Sequence, residues 1–226
     1  MWNLPPPPGF QGLHPDKPLT AYFRHLPHWR QDGATYFVTF RLADSLPQSK
    51  LDEMDWLRKD WELRHPRPHT KAVWDELTRE VNKCVECWLD QGMGSCVLRQ
   101  PSLASWVTSA LDRFNDDWYE LDCYTVMPNH VHVIVRPLAP EIHPLESILG
   151  SWKKYSSRRI NLALNRVGEL WQDEAFDRII RNEEHLWRAI QYIGRNPGRA
   201  GLTPNGCPLW VRPQWVELGW QFEARS

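Results

Sequence analysis

Apolar and polar positions alternate with period two over residues 35–42 (TYFVTFRL), which are rich in β-branched and aromatic side chains and predict a first strand. Residues 118–126 and 130–135 predict two further strands. They are joined by a tight turn through Met127-Pro128-Asn129-His130, where proline suits the second turn position and asparagine tolerates the third. Leu103, Trp106, Val107, Ala110, Leu111 and Phe114 recur at helical spacing, predicting an amphipathic helix over 102–114 with Ser102 as its N-cap. A second helix is expected over 144–165 and a short strand over 175–181. A third helix is expected from Glu183 to about Asn196, capped by Asn182 and stopped by Pro197. Residues 48–89 read as mostly helical, broken near Pro66-Arg67-Pro68, with mixed charges that suit a solvated outer face. A short strand is expected over 94–98.

The flanks lack this periodicity. The first 30 residues carry the proline tract Pro5–Pro8 and read as an arm draped over the domain or a flexible lead, and the stretch after Leu202 is rich in Pro, Gly and Trp without a pattern. The resulting division is an arm (1–30), a catalytic-sized domain (31–202) with a largely helical insertion at about 50–98, and a tail (203–226). No internal repeat is present.

Composition narrows the class. A chain of 226 residues with ordinary apolar and charged fractions can bury one sizeable core. No apolar run reaches the roughly 18–20 residues that a membrane span requires, and the N-terminus has no secretion-signal pattern. Five irregularly spaced cysteines suit a reducing cytosol better than a disulfide framework. Fourteen tryptophans imply large apolar area in the core, with room for a few as stacking platforms for unpaired bases. The net charge of −1 gives no global support to nucleic-acid binding. Locally the balance differs: residues 151–168 carry Lys153, Lys154, Arg158, Arg159 and Arg166 and no acidic residue, a footprint suited to phosphates, though also to a solvated helix face.

The chemistry begins at His130-Val131-His132. Strand alternation puts His130, His132 and Ile134 on one face and Val131, Val133 and Val135 on the other, toward the core helices. Two imidazoles two residues apart on a strand project side by side and can hold one cation, or can simply hydrogen-bond their neighbours. Histidine-triad hydrolases need a third histidine where this chain has Ile134, and amidohydrolase barrels need repeated βα units that are missing here. The size and the hairpin fit a small α+β sheet. Cys84 and Cys87 form a CxxC with no second pair at finger-like spacing, so they read as helix-face cysteines rather than a zinc site.

The third helix offers a partner. Tyr192 and Asn196 are neighbours one turn apart, beside an apolar stripe of Leu186, Ile190 and Ile193. A phenolic oxygen can attack a phosphodiester and keep the bond energy in a covalent intermediate, with a divalent cation stabilising the developing charge. The amide oxygen of Asn196 is a candidate third ligand beside the histidines. Tyr155, within the basic segment, is the rival nucleophile and ranks second because Arg159 sits one turn on. Arg178, Arg181, Arg195 and Arg199 flank the tyrosine helix.

Over roughly residues 36–202 the sequence resembles the REP-associated tyrosine transposases, single-tyrosine HUH endonucleases related to insertion-sequence transposases. The resemblance is carried by Val126-Met127-Pro128-Asn129-His130-Val131-His132, by Trp171-Gln172 with Phe176-Asp177-Arg178, and by Tyr192-Ile193 with Asn196-Pro197 and Ala200-Gly201-Leu202. It implies a ferredoxin-like (RRM-like) antiparallel sheet, Mg²⁺ or Mn²⁺ at His130 and His132 with Asn196 as further ligand, and Tyr192 as nucleophile. It also implies cleavage of single-stranded DNA beside a hairpin through a 5′-phosphotyrosine, leaving a free 3′-hydroxyl. Insertion-sequence relatives carry Gln four residues after the tyrosine, whereas the REP-associated branch carries Asn, as here. The expected partner is hairpin DNA, held by Lys153, Lys154, Arg158, Arg159 and Arg178, and the expected protein is a monomer in a bacterial cytoplasm, at the nucleoid, with no membrane association. The rival reading is a non-catalytic single-stranded nucleic-acid-binding module of RRM-like topology, which calls for exposed aromatics on the sheet face instead of histidines.

Overall fold

The strand predicted over 35–42 forms as an interior strand of a five-stranded antiparallel sheet in the computed structural model of the chain, which describes residues 4–24, 27–203 and 206–223. In chain order the elements are β1 (Thr20–Phe23), β2 (Pro27–Arg30), β3 (Tyr36–Arg41), α1 (Gln48–Arg64), α2 (Lys71–Asp90), α3 (Pro101–Asp112), β4 (Tyr119–Val126), β5 (His130–Pro137), α4 (Leu145–Ala163), β6 (Phe176–Ile179), α5 (Glu183–Arg199), β7 (Leu209–Val211) and α6 (Pro213–Glu217). The sheet runs β6-β3-β5-β4-β7. Within it, β3-α3-β4-β5-α4-β6 is a β-α-β-β-α-β unit whose strands lie in the order fourth, first, third, second, which is the ferredoxin-like α+β arrangement.

Alternation decides what covers each face. Val38, Phe40, Val131, Val133 and Val135 point toward α3 and α4 and join Leu103, Val107, Leu111, Ile148 and Trp152 in the larger core. The big amphipathic side chains here are satisfied at their polar ends. Trp152 Nε1 donates to Tyr119 Oη (2.8 Å), the Tyr119 hydroxyl donates to the Leu111 carbonyl (2.7 Å), and Trp171 Nε1 donates to Ser156 Oγ (2.9 Å). Phe37, Cys123 and Ile134 point the other way, against Leu186, Ile190 and Ile193 of α5 and against Trp215 and Trp220. Burying side chains of this kind contributes roughly 1.5–3 kcal/mol each.

The flanks are more ordered than their sequence suggests. The arm contains the β1–β2 hairpin, which docks on β6: His28 contacts Asp177 (2.6 Å) and Glu174 (2.9 Å), while Arg30 pairs with Asp177 (2.5 Å) and Glu146 (2.7 Å). The proline tract is tied to the tail through Trp220 Nε1 on the Pro5 carbonyl (2.8 Å) and Trp215 Nε1 on the Pro8 carbonyl (2.9 Å). The tail supplies β7, a fifth strand beside β4, and then α6. Arm residues 1–3 and 25–26 and tail residues 204–205 and 224–226 lie outside the described residues.

Three local expectations are corrected. Residues 94–98 are not a strand, because Gly92, Gly94 and Cys96 all take positive φ; a turn there leads into a short 3₁₀ segment at Val97–Arg99. An added Cβ at Gly94 would lie 2.3 Å from the Asp44 carbonyl oxygen. The cap of α3 is Gln100 and not Ser102, since Pro101 takes the first helical position, where its missing N–H costs nothing. Pro197 does not stop α5, which runs to Arg199. In the last turn proline forfeits one hydrogen bond, and Ala200 N still reaches the Asn196 carbonyl (3.1 Å). Asn182 caps this helix as expected, accepting from His185 N at 2.9 Å.

Candidate active site

The hairpin between β4 and β5 fixes the first imidazole. Both hydrogens of the Asn129 amide are spent on the carbonyls of Leu89 (3.3 Å) and Met93 (3.1 Å). Its Oδ1 therefore accepts from His130 Nδ1 at 2.7 Å, which leaves His130 Nε2 with a free lone pair. His132 faces its cross-strand neighbour Thr39, with Nδ1 2.7 Å from Oγ1. The two Nε2 atoms then meet at 3.1 Å. Burial keeps both rings neutral, pushing His130 down to about 3 and His132 well below the usual imidazole range. Neutral imidazoles held from behind by hydrogen bonds, with their far nitrogens in contact, form a pair that a divalent cation could bridge.

α5 brings the other two residues to the same spot. Asn196 is fully buried; its Nδ2 donates to Tyr192 Oη at 3.2 Å, and its Oδ1 is buried without a hydrogen-bond partner. An orphaned buried carbonyl oxygen costs about 1–3 kcal/mol, so a donor or a cation beside it is favoured. Among the described residues, no group of three or more His, Cys, Asp and Glu that could hold a metal is found, and the Asn196 amide oxygen is a buried acceptor left open beside the Tyr192 phenol. Two imidazole nitrogens and one amide oxygen are donors that a divalent cation can use. The Tyr192 ring is half-buried, edge-on to His132 (centroids 5.2 Å apart) and to Phe37 (5.9 Å). Burial pushes its phenol well above the usual value. A cleft of about 380 Å³, lined by Trp187, Gln191, Tyr192, Arg195 and Arg199, opens beside it.

Of the neighbours of this cluster, Arg178 and Arg199 are expected from the sequence, whereas Arg41, Glu86 and Asp90 carry no signal in it. Arg41 lies opposite His130 across the β3–β5 ladder, and burial pushes its guanidinium down to about 10. Arg178 sits 4.9 Å over the Phe37 ring and Arg199 5.4 Å over the Tyr192 ring. From α2, within the segment that reads as an insertion, Asp90 pairs with Arg199 (3.1 Å), and Asp90 and Glu86 are electrostatic neighbours of Asn196 and Tyr192. The CxxC spacing draws attention to Cys84 and Cys87, both free thiols.

The basic helix lies elsewhere. α4 covers the opposite sheet face, and Tyr155 packs there against the main core, between Arg113 (5.3 Å) and Arg159 (5.6 Å), away from the histidines. Lys154, Arg158 and Arg159 are exposed on α4. Lys153 is engaged locally: its ammonium donates to the carbonyls of Gln172 (2.9 Å) and Asp173 (2.8 Å), and burial pushes it down to about 8. Since Gln172 N in turn donates to the Arg41 carbonyl (2.9 Å), this contact joins α4 to the sheet end that carries His130.

No protein-family model matches the chain. No curated protein matches it. Among solved structures the chain is similar to a REP-associated tyrosine transposase bound to a REP hairpin, with 16% identity, a TM-score of 0.41, and coverage of 83% of this chain and 78% of that one. The functional reading therefore rests on the residues of the site itself.

Proposed function

We propose that the protein is a cation-dependent single-tyrosine DNA strand transferase that cleaves and rejoins single-stranded DNA beside a hairpin. The observation that carries this reading is the convergence of His130 Nε2, His132 Nε2 and the orphaned Asn196 Oδ1 next to the Tyr192 phenol. His130, His132 and Asn196 would hold Mg²⁺ or Mn²⁺, which when bound would polarise the scissile phosphate and stabilise the charge that builds on it. Asn129 and Thr39 keep the imidazoles turned toward that place. Tyr192 attacks the phosphorus, the 3′-oxygen departs, and a 5′-phosphotyrosine remains; attack by a 3′-hydroxyl reverses the step and reseals the strand. Arg178 and Arg199, flanking the phenol, steer the phosphate into the cleft. The hairpin rests on Lys154, Arg158 and Arg159, with its single strand passing round the Arg41 end of the sheet.

The non-catalytic alternative requires an open sheet face with exposed aromatics, and both faces of this sheet are covered by helices. The test is to incubate labelled hairpin DNA with the protein and Mn²⁺ and look for a covalent adduct on a denaturing gel. The adduct is expected to disappear in Tyr192→Phe and on chelation, and to persist in Tyr155→Phe. Loss of the adduct in Tyr155→Phe but not in Tyr192→Phe would move the nucleophile, and hairpin binding with no adduct at all would favour the binding module.

A further inference from the structure

We infer that the seam between α3 and α4 is a preformed phosphate-binding strip for duplex DNA, in which aromatic rings hold the guanidinium groups of Arg113 and Arg159. This rests on the transferase reading above, whose hairpin it seats. It adds α3 to the DNA contact and gives Tyr155 a positioning role.

Cations and rings alternate along the seam. Arg159 Cζ lies 4.9 Å from the centroid of the Trp106 ring and 5.6 Å from that of Tyr155. Arg113 Cζ lies 5.3 Å from the Tyr155 ring and 5.2 Å from the Phe114 ring. Numbers rise on α3 from Trp106 to Arg113 while they fall on α4 from Arg159 to Tyr155, so the helices run antiparallel and the contacts pass from one to the other. Phe114 is itself stacked on Trp118 (centroids 3.9 Å apart, planes 2° apart), and Trp118 on His143 (4.1 Å), which fixes that end. Each guanidinium therefore gives up freedom in the folded chain, before a ligand arrives.

Neither cation is spent on a carboxylate. Among the described residues, the side chains of Arg113 and Arg159 have no hydrogen bond and no ion pair, and both residues are exposed. A guanidinium lying over rings keeps its N–H edge for a planar bidentate acceptor. Lys154 and Arg158, also exposed, stand beside them on α4, and residues 151–168 contain no acidic residue. Asp112, Asp116 and Asp117 bound the strip at the end of α3, where Asp116 is taken by Arg212 (2.8 Å). A row of such cations fits a regular polyanion. Two facts select the duplex stem. The rings are engaged with the cations and with one another, so they are poor platforms for unpaired bases, and the strip contacts backbone phosphate. It also lies on the sheet face opposite the imidazoles, away from the strand that is cut.

The test measures affinity for a fluorescein-labelled DNA hairpin by anisotropy over a range of salt, with the full chain and EDTA present, beside a scrambled hairpin of equal stem length. Arg113→Gln is expected to weaken both hairpins alike, by about 3–10-fold near about 0.1 M salt, and to lower the log–log salt slope by about 0.9. Tyr155→Leu keeps both cations and is expected to lose about threefold or more in affinity at an unchanged slope, while Tyr155→Phe, which keeps the ring, restores it. Arg113→Gln within about 1.5-fold of the parent at an unchanged slope overturns the inference, as does a loss confined to one hairpin. Tyr155→Phe as weak as Tyr155→Leu overturns it too. If thermal melting shows that Tyr155→Leu does not fold, Trp106→Leu against Trp106→Phe takes its place with the same outcomes. Adduct formation with Mn²⁺ separates the two claims. An adduct formed by a chain whose hairpin affinity ignores Arg113 removes the strip and spares the transferase reading; a hairpin held through Arg113 with no adduct does the reverse.

Discussion

Raising the pH should loosen the N-terminal hairpin through a single imidazole. The His28 side chain is only 5% exposed, stacks on Tyr22 with ring centroids 4.8 Å apart, and lies between Asp177 (2.6 Å) and Glu174 (2.9 Å). Burial by itself would push the ring down, but hydrogen bonds to the two carboxylates outweigh it and lift His28 to about 9. Asp177, which burial would raise, is instead held below its usual value by His28 and Arg30. The folded-state value of His28 thus exceeds the unfolded one, so the protonated ring stabilises the fold fully below about pH 6.5, and the contribution fades as pH rises through about 9. A shift of this size corresponds to about 3 kcal/mol. Of the other groups facing the ring, Glu146 and Asp177 titrate well below this window and Arg30 and Tyr22 above it. The buried thiols, all raised, reduce stability only near its alkaline end. Urea unfolding of the parent and of His28→Gln, at several pH values between about 6 and 9, isolates the effect as the gap between them. That gap should shrink by about 2–3 kcal/mol across the window. A gap constant to within about 0.5 kcal/mol would refute the linkage.

Other outcomes follow from the site. Thr39→Val removes the hydroxyl behind His132 at constant shape; it should cost about 1–3 kcal/mol of stability and weaken Mn²⁺ binding about 10–100-fold in a direct titration. Replacing Lys154, Arg158 and Arg159 together by alanine should weaken hairpin binding and flatten its log–log salt dependence by about 3, at close to 0.9 per lost phosphate contact on duplex. An unchanged salt slope would place the hairpin on another surface.

The candidate site was readable in the sequence because strand and helix periodicities are local. His130 and His132 fall on one face by alternation alone, and Tyr192 and Asn196 on one stripe by helical spacing. The strands over 35–42, 118–126, 130–135 and 175–181 were legible for the same reason, although a further strand expected over 94–98 is absent and the ferredoxin-like order was implied only by the family resemblance. What stayed hidden depends on long-range packing. Nothing local says that Thr39 and Arg41 lie opposite His132 and His130, since register is set by pairing between distant strands. Glu86 and Asp90 belong to a helix whose mixed charges read as solvated, and only the docking of α2 against the hairpin turns two of those charges inward. β7 was invisible because three residues are too short to show alternation; pairing with β4 makes the strand. Conversely, the basic Lys153 carried a sequence signal that packing redirected to backbone carbonyls, while Cys84 and Cys87 stand as free thiols on α2, as their spacing suggested.

The central claim is that two imidazoles from one hairpin share a cation beside Tyr192. Electron spin-echo spectroscopy of Mn²⁺ bound to the protein tests it most directly. Two histidine nitrogens are predicted to couple to the ion, with one coupling lost in His130→Ala and one in His132→Ala. Manganese that binds with no nitrogen coupling, or whose couplings survive both substitutions, would contradict the account.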